Sequence, residues 1–225
     1  MRDLATARRE PQPSDRPPGG ASDTKARLLD AAELFFAERG FDGMSMRAVT
    51  NAAGVSVSAA NYHFGSKLAL MGAALRRRVE PINRRRFELL DGLEAEASVP
   101  NVEQVLDAFY RPPFEQAAES TEAQRTLMRT VAARLWHDPA EMVAAIRVEL
   151  FGEVSERFSV ALVNAMPEIE PARARMLLQL SVGLLIQTLN GEAASFFSTD
   201  ADTLRAVLVR YATAGVIAAA QEDPS

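Results

Sequence analysis

The run SVSAANYHFGSK, residues 56–67, sets Asn61, Tyr62 and His63 side by side in a stretch otherwise made of serine, alanine and one valine, and closes on Phe64, Gly65 and Lys67. An asparagine amide can pair with adenine N6 and N7, while a phenol, an imidazole and an ammonium suit phosphate oxygens. Ser45 and Arg47, some ten residues upstream, are of the same kind. Small residues at Ser58 and Ala59, near the start of the segment, would let the backbone come close to a groove, and a long anionic target fits such a surface. Each residue also has an ordinary explanation: His63 as a helix-surface side chain, Tyr62 as a half-buried aromatic, Lys67 as a solvated charge. Their convergence on one short segment favours binding.

The surrounding pattern supplies the elements that would position them. Asp23 or Thr24 is expected to cap a first helix whose apolar residues Leu28, Ala32, Phe35 and Phe36 recur at helical spacing, closed by Gly40. Ser45 is a cap for a short second helix with Met46, Val49 and Ala53 on one stripe; Gly54 suits a tight turn, and Ser56 caps a third helix of about eight residues. At about 100° per residue, Ala60 and Phe64 share its inner edge. Ser58, Ala59 and Tyr62 then point outward, flanked by Val57, Asn61 and His63. This series is the helix-turn-helix pattern.

The net charge of -5 argues against a nucleic-acid partner until its distribution is considered. Residues 24–91 hold 11 Lys and Arg against 7 Asp and Glu, a balance of +4, whereas residues 92–225 hold 10 against 19, a balance of -9. A basic module joined to an acidic one is what a DNA-binding head with a separate body would show. The absence of cysteine and the presence of only two histidines remove disulfide frameworks, thiol catalysis and nearly every zinc site. No glycine-rich phosphate loop is present, and His137 beside Trp136 suits a helix end, so no catalytic residue, cofactor or metal is expected. No uninterrupted run of about 18 apolar residues and no secretory leader are seen, which points to a cytoplasmic protein with no membrane partner.

Residues 1–23 mix arginine with Pro, Gly and Ser and are expected to form a flexible tail. Residues 24–70 form the head and 71–225 a helical body. Ser66 should cap a connector helix that Pro81 kinks or restarts, and Pro112 and Pro113 should interrupt the next helix. Further helices follow at about 122–136, 139–165, 171–197 and 201–220, with no convincing strand. The last two are the most apolar, more so than a monomer needs on one face, which suggests a dimer seam. For a small-molecule pocket, Phe109, Phe114, Met128, Val131, Leu135 and Trp136, with Leu127, offer apolar lining beside Arg111, Arg129 and Arg134. Methionine and aromatic residues at this spacing equally build an ordinary core.

Residues 24–75 resemble the N-terminal domain of the TetR/AcrR family of bacterial transcriptional regulators. The first helix ends in the family's F.E.G pattern at Phe36, Glu38 and Gly40, AGVS follows at 53–56, and the third helix closes on YHFGSK at 62–67. The resemblance implies an all-α homodimer with an N-terminal three-helix DNA-binding domain and a helical C-terminal ligand-binding and dimerisation domain. It implies phosphate contacts at Ser45, Tyr62, His63 and Lys67, and base reading by Val57, Ser58, Ala59 and Asn61. The implied partners are double-stranded operator DNA and a small-molecule effector, and the implied function is repression relieved by that effector. Ala59 stands where the family often has threonine, and Ala60 where it has a bulkier residue, so the operator cannot be carried over. The AANYHFGSK and RPPF segments are similar to an acyl-sensing branch, which would make the effector an acyl compound or another hydrophobic anion. Two other readings stay open: an architectural or protein-binding helical module, and an enzyme with a fused DNA-binding head.

Overall fold

Three serines and three glycines punctuate the first 67 residues as local chemistry requires. In the computed structural model, which describes residues 21–96, 98–189 and 200–221, Ser45, Ser56 and Ser66 each accept a hydrogen bond at 3.1 Å from the backbone N–H three residues on, at Ala48, Ala59 and Ala69. Each satisfies an N–H that a helix start otherwise leaves without a partner. Gly40, Gly54 and Gly65 take φ of 69°, 62° and 76°, a region that L side chains avoid, and end the preceding helices.

The regular structure of the described residues is all helical, with turns and loops between and no strand among them: α1 (Ala21–Arg39), α2 (Met46–Ala53), α3 (Val57–Phe64), α4 (Lys67–Glu94), α5 (Val102–Ala118), α6 (Glu122–His137), α7 (Glu141–Ala165), α8 (Pro171–Leu189) and α9 (Ala201–Gln221). Two corrections concern prolines. Pro81 lies within a continuous α4, and Pro112 and Pro113 within a continuous α5. A proline removes one helix N–H, yet burial on both sides of it (Ala74 and Leu75 before, Arg86 and Leu90 after Pro81) keeps α4 a single helix that does not restart there. In α5 both prolines are themselves buried in the packing face.

A third correction concerns the first helix. It starts at Ala21, so Asp23 is not its cap; it sits in the first turn and pairs with Arg27 at 3.3 Å. The rest of the expected 1–23 tail lies outside the described residues, as does the end of the expected 171–197 helix beyond Leu189.

Two apolar cores organise the chain. The first gathers Leu28, Ala32 and Phe36 of α1, Val49 of α2, Ala60 of α3 and Leu70, Met71, Ala74 and Leu75 of α4, and takes in Val131 and Leu135 of α6 and Val143 and Ile146 of α7. The second is built by α4, α5 and α7 to α9 around Leu106, Tyr110, Phe158, Leu162 and Leu178. Tyr110 donates to the Ser181 carbonyl at 3.0 Å, and burial pushes its phenol up to about 12. Along α8 and α9, which pack side by side, Met176, Leu180, Val207, Tyr211 and Ile217 remain exposed. By length and composition α9 is apolar enough to cross a membrane, although it carries Arg205 and Arg210, the first of which pairs with Asp107 of α5.

Candidate nucleic-acid interface and cavity

The head's second and third helices meet at a turn fixed from both sides. Gly54 donates to the Asn51 and Thr50 carbonyls, Val55 donates to Thr50 O at 2.9 Å, and the buried Thr50 hydroxyl donates to Arg47 O at 3.1 Å. The inner edge of α3 rests on fully buried Ala60. This leaves Val57, Ser58, Asn61 and Tyr62 exposed, Tyr62 at 87%, with Ala59 and His63 half-buried at the margins. Tyr62 and His63 meet edge to face at 5.5 Å. Ser45 and Arg47 are exposed at the start of α2, where the helix dipole favours an anion; the Ser45 oxygen accepts the capping bond while its hydrogen remains available to donate.

Lys67 is placed differently from a freely solvated cation. Its ammonium donates to the Phe41 carbonyl at 3.0 Å and stands 4.1 Å over the Phe41 ring, so it anchors the α1–α2 loop and keeps two N–H donors for another acceptor.

The body grips the same loop from the other side. Asp138, just beyond α6, accepts from Phe41 N and Ala140 N, both at 3.0 Å. Arg134 donates to the carbonyls of Ala37 and Glu38 at 3.3 and 3.2 Å, capping the C-terminus of α1. Here Arg134 departs from the expected pocket. Arg111 departs too: it pairs with Asp107 of its own helix on the open side of α5, because an i, i+4 carboxylate captures it locally.

Sequence reasoning missed a second tie between head and body. Glu33 of α1 is fully buried and held by two guanidiniums of α4, with Arg77 Nη2 at 2.7 Å from one oxygen and Arg78 Nη2 at 2.7 Å from the other. Burial alone would lower the Arg77 pKa, but the hydrogen bonds and charges of Glu33 and Asp30 together outweigh it and raise it. A signal was available, since Glu33 falls on the stripe of Leu29 and Phe36 opposite the run RRR at 76–78.

Between the two cores lies a cavity of ≈ 350 Å³, lined by Phe109, Phe114, Met128, Val131, Leu135 and Trp136, all anticipated, together with Arg129. Leu127 packs against the head core instead. Several walls were not anticipated: Leu75, Arg78, Ile82 and Arg86 of α4, Phe151 and Ser155 of α7, and Leu178, Val182 and Ile186 of α8. Arg86 lies within the protein, donating from Nε to the Phe109 carbonyl at 2.9 Å and from Nη1 to the Asn83 side chain at 3.1 Å. Burial pushes its guanidinium down to about 9. Leu75, Val131 and Leu135 belong to the cavity wall and the head core at once.

Comparison with known proteins agrees with this architecture. Residues 28–74 match the model of bacterial regulatory proteins of the tetR family, and residues 107–215 match that of a tetracyclin repressor-like C-terminal domain. Among solved structures, a transcriptional regulator of Rhodococcus sp. RHA1 is similar over 89% of this chain and 99% of its own, with 24% identity and a TM-score of 0.59. The fatty acid degradation regulator FadR of Bacillus halodurans is similar over 90% of this chain and 98% of its own, with 15% identity and a TM-score of 0.62. FadR of Bacillus subtilis, solved in complex with stearoyl-CoA, is similar over 84% and 98%, again with 15% identity and a TM-score of 0.62. At such identities the likeness is one of fold. No curated protein is matched significantly.

Proposed function

Since the chain belongs to the tetR family of bacterial regulatory proteins, and is thus a DNA-binding transcriptional regulator, we propose that it is a homodimeric repressor released from its operator by a small molecule. The observation that carries this reading is the outer face of α3, where Ser58, Asn61 and Tyr62 are exposed around a backbone thinned to alanine and serine. In the proposed complex each subunit lays α3 in a major groove. Asn61 reads a base edge, Val57, Ser58 and Ala59 shape the contact, and Ser45, Arg47, Tyr62, His63 and Lys67 hold phosphates. Residues 24–70 act as the reading head and 71–225 as the sensing and pairing body, working in the cytoplasm. The exposed apolar stripe of α8 and α9 supports a dimer seam.

The cavity supports the effector half of the proposal. Its walls include Leu75, Val131 and Leu135, which also pack under the head, and Arg78, whose guanidinium clamps Glu33 of α1. A molecule that spreads α4 and α6 would therefore shift the floor on which α1 to α3 sit. Such a ligand favours the head spacing it fits best and lowers the population that matches the operator.

The test is selection from a pool of random duplexes. A dimer reading two half-sites should enrich a roughly palindromic motif whose halves are separated by about one helical turn or a multiple of it. A pool that stays random through successive rounds, with retention falling uniformly as salt rises, would favour an architectural module instead.

A further inference from the structure

The charge lining the cavity is one-sided. Arg78, Arg86, Arg125 and Arg129 reach it, and no carboxylate does among the described residues. Three of the four have countercharges: Arg78 meets Glu33 at 2.7 Å, and Arg125 and Arg129 meet Glu122 at 2.7 and 3.1 Å. Arg86 is different. Only 4% of it is exposed, and what surrounds it is a carbonyl, an asparagine amide oxygen and the Phe109 ring at 4.1 Å. These are dipoles and a π face, not an opposite charge. A guanidinium remains protonated at neutral pH even after the depression that burial causes, and an uncompensated buried charge is costly to keep.

The surroundings of Arg86 indicate what would complete it. The guanidinium's third nitrogen, Nη2, has no protein acceptor among the described residues. Gln116 lines the same cavity with its amide oxygen buried and unpartnered, and turning that amide would offer an N–H to a ligand oxygen. The remaining wall is mostly aliphatic and aromatic, with Phe114, Met128, Trp136 and Ile186 among it.

We propose that the cavity binds a free amphiphilic carboxylate, an alkyl chain ending in one anionic group, whose carboxylate pairs with Arg86 while the chain lies along the apolar wall. The inference rests on the effector reading of this cavity and specifies its ligand. A neutral acyl ester of equal length would fill the same space but leave the Arg86 charge uncompensated, so the site separates acids from esters and alcohols. Arg86 then acts as the specificity-determining residue of the site.

Trp136, the only tryptophan in the chain, lines the cavity and reports occupancy directly, without DNA. Dodecanoate, methyl dodecanoate and dodecanol, each titrated below its aggregation threshold against Trp136 fluorescence, should separate, with the acid at least about tenfold tighter than either neutral compound, a difference of about 1.4 kcal/mol. Arg86→Met, which keeps bulk and removes charge, should bring the three within about twofold of one another. Arg86→Lys should retain the preference for the acid. Melting curves recorded in parallel establish that both variants are folded. Equal binding of the three probes by the wild type, binding of none of them, or an acid preference that survives in Arg86→Met would overturn the proposal. None of these outcomes bears on the regulator reading, which stands or falls on the duplex selection.

Discussion

Asn61 and Tyr62 are adjacent on α3 and should fail differently when altered. Asn61→Ala removes a base-edge contact, so preference should relax at one base pair by about 1–3 kcal/mol, with other sequences little affected. Tyr62→Phe removes one hydroxyl from a side chain that is 87% exposed, so binding should weaken alike on all duplexes while the melting temperature holds. Anisotropy on matched and single-substituted duplexes distinguishes the two patterns. Lys67→Ala should lower both affinity and stability, because its ammonium also ties down the Phe41 carbonyl. The serine caps were legible because their partners lie three residues away. The roles of Arg134 and Glu33 were not: their partners lie 97 and about 45 residues away, and only the packing of α6 and α4 against α1 reveals them. Breaking that buried cluster with Glu33→Gln leaves two arginines, each about a third exposed, facing a neutral amide. A loss of about 1–3 kcal/mol in urea denaturation is expected, kept below the cost of a fully buried orphan by solvent access to the arginines.

At the scale of elements, the starts of α2, α3 and α4 and the glycine turns followed from sequence, whereas the start of α1 and the helix breaks expected at prolines did not. Pro81, Pro112 and Pro113 break an isolated helix, but α4 and α5 have buried residues on both sides of them. Tertiary packing outweighs a local cost of about 3 kcal/mol. The turns carry a graded prediction. Gly54→Ala meets only the Arg27 guanidinium at 3.7 Å, so its cost is the left-handed backbone alone, about 1–2 kcal/mol. At Gly40 an added Cβ would also stand 2.8 Å from the Asp138 carboxylate that holds the α1–α2 loop. Gly40→Ala should therefore be the more destabilising of the two in chemical denaturation and should loosen the grip of α6 on the head.

For the whole molecule, the charge balance separates a basic stretch at 24–91 from an acidic remainder, but six of that stretch's eleven cations are arginines at 76–86 on α4, and the shared wall between cavity and head was not visible in it. That wall arises because α6 returns to pack against α1 and α7 against α4, a long-range arrangement that periodicity does not encode. The exposed stripe on α8 and α9 makes its own prediction. Leu180 and Tyr211 are 61% and 68% exposed, so the double change Leu180→Glu, Tyr211→Glu should leave the fold intact and shift the species seen by light scattering from two chains to one. A two-half-site operator should then be bound far more weakly.

The central claim, that α3 reads sequence, is tested most directly by one comparison: the affinity of the wild type for its selected duplex and for a shuffled duplex of equal length and composition, by fluorescence anisotropy at one fixed, near-physiological salt concentration. A reader of base edges should prefer the selected duplex by about a thousandfold or more. A ratio near one would contradict the account and leave the head as a phosphate-binding surface alone.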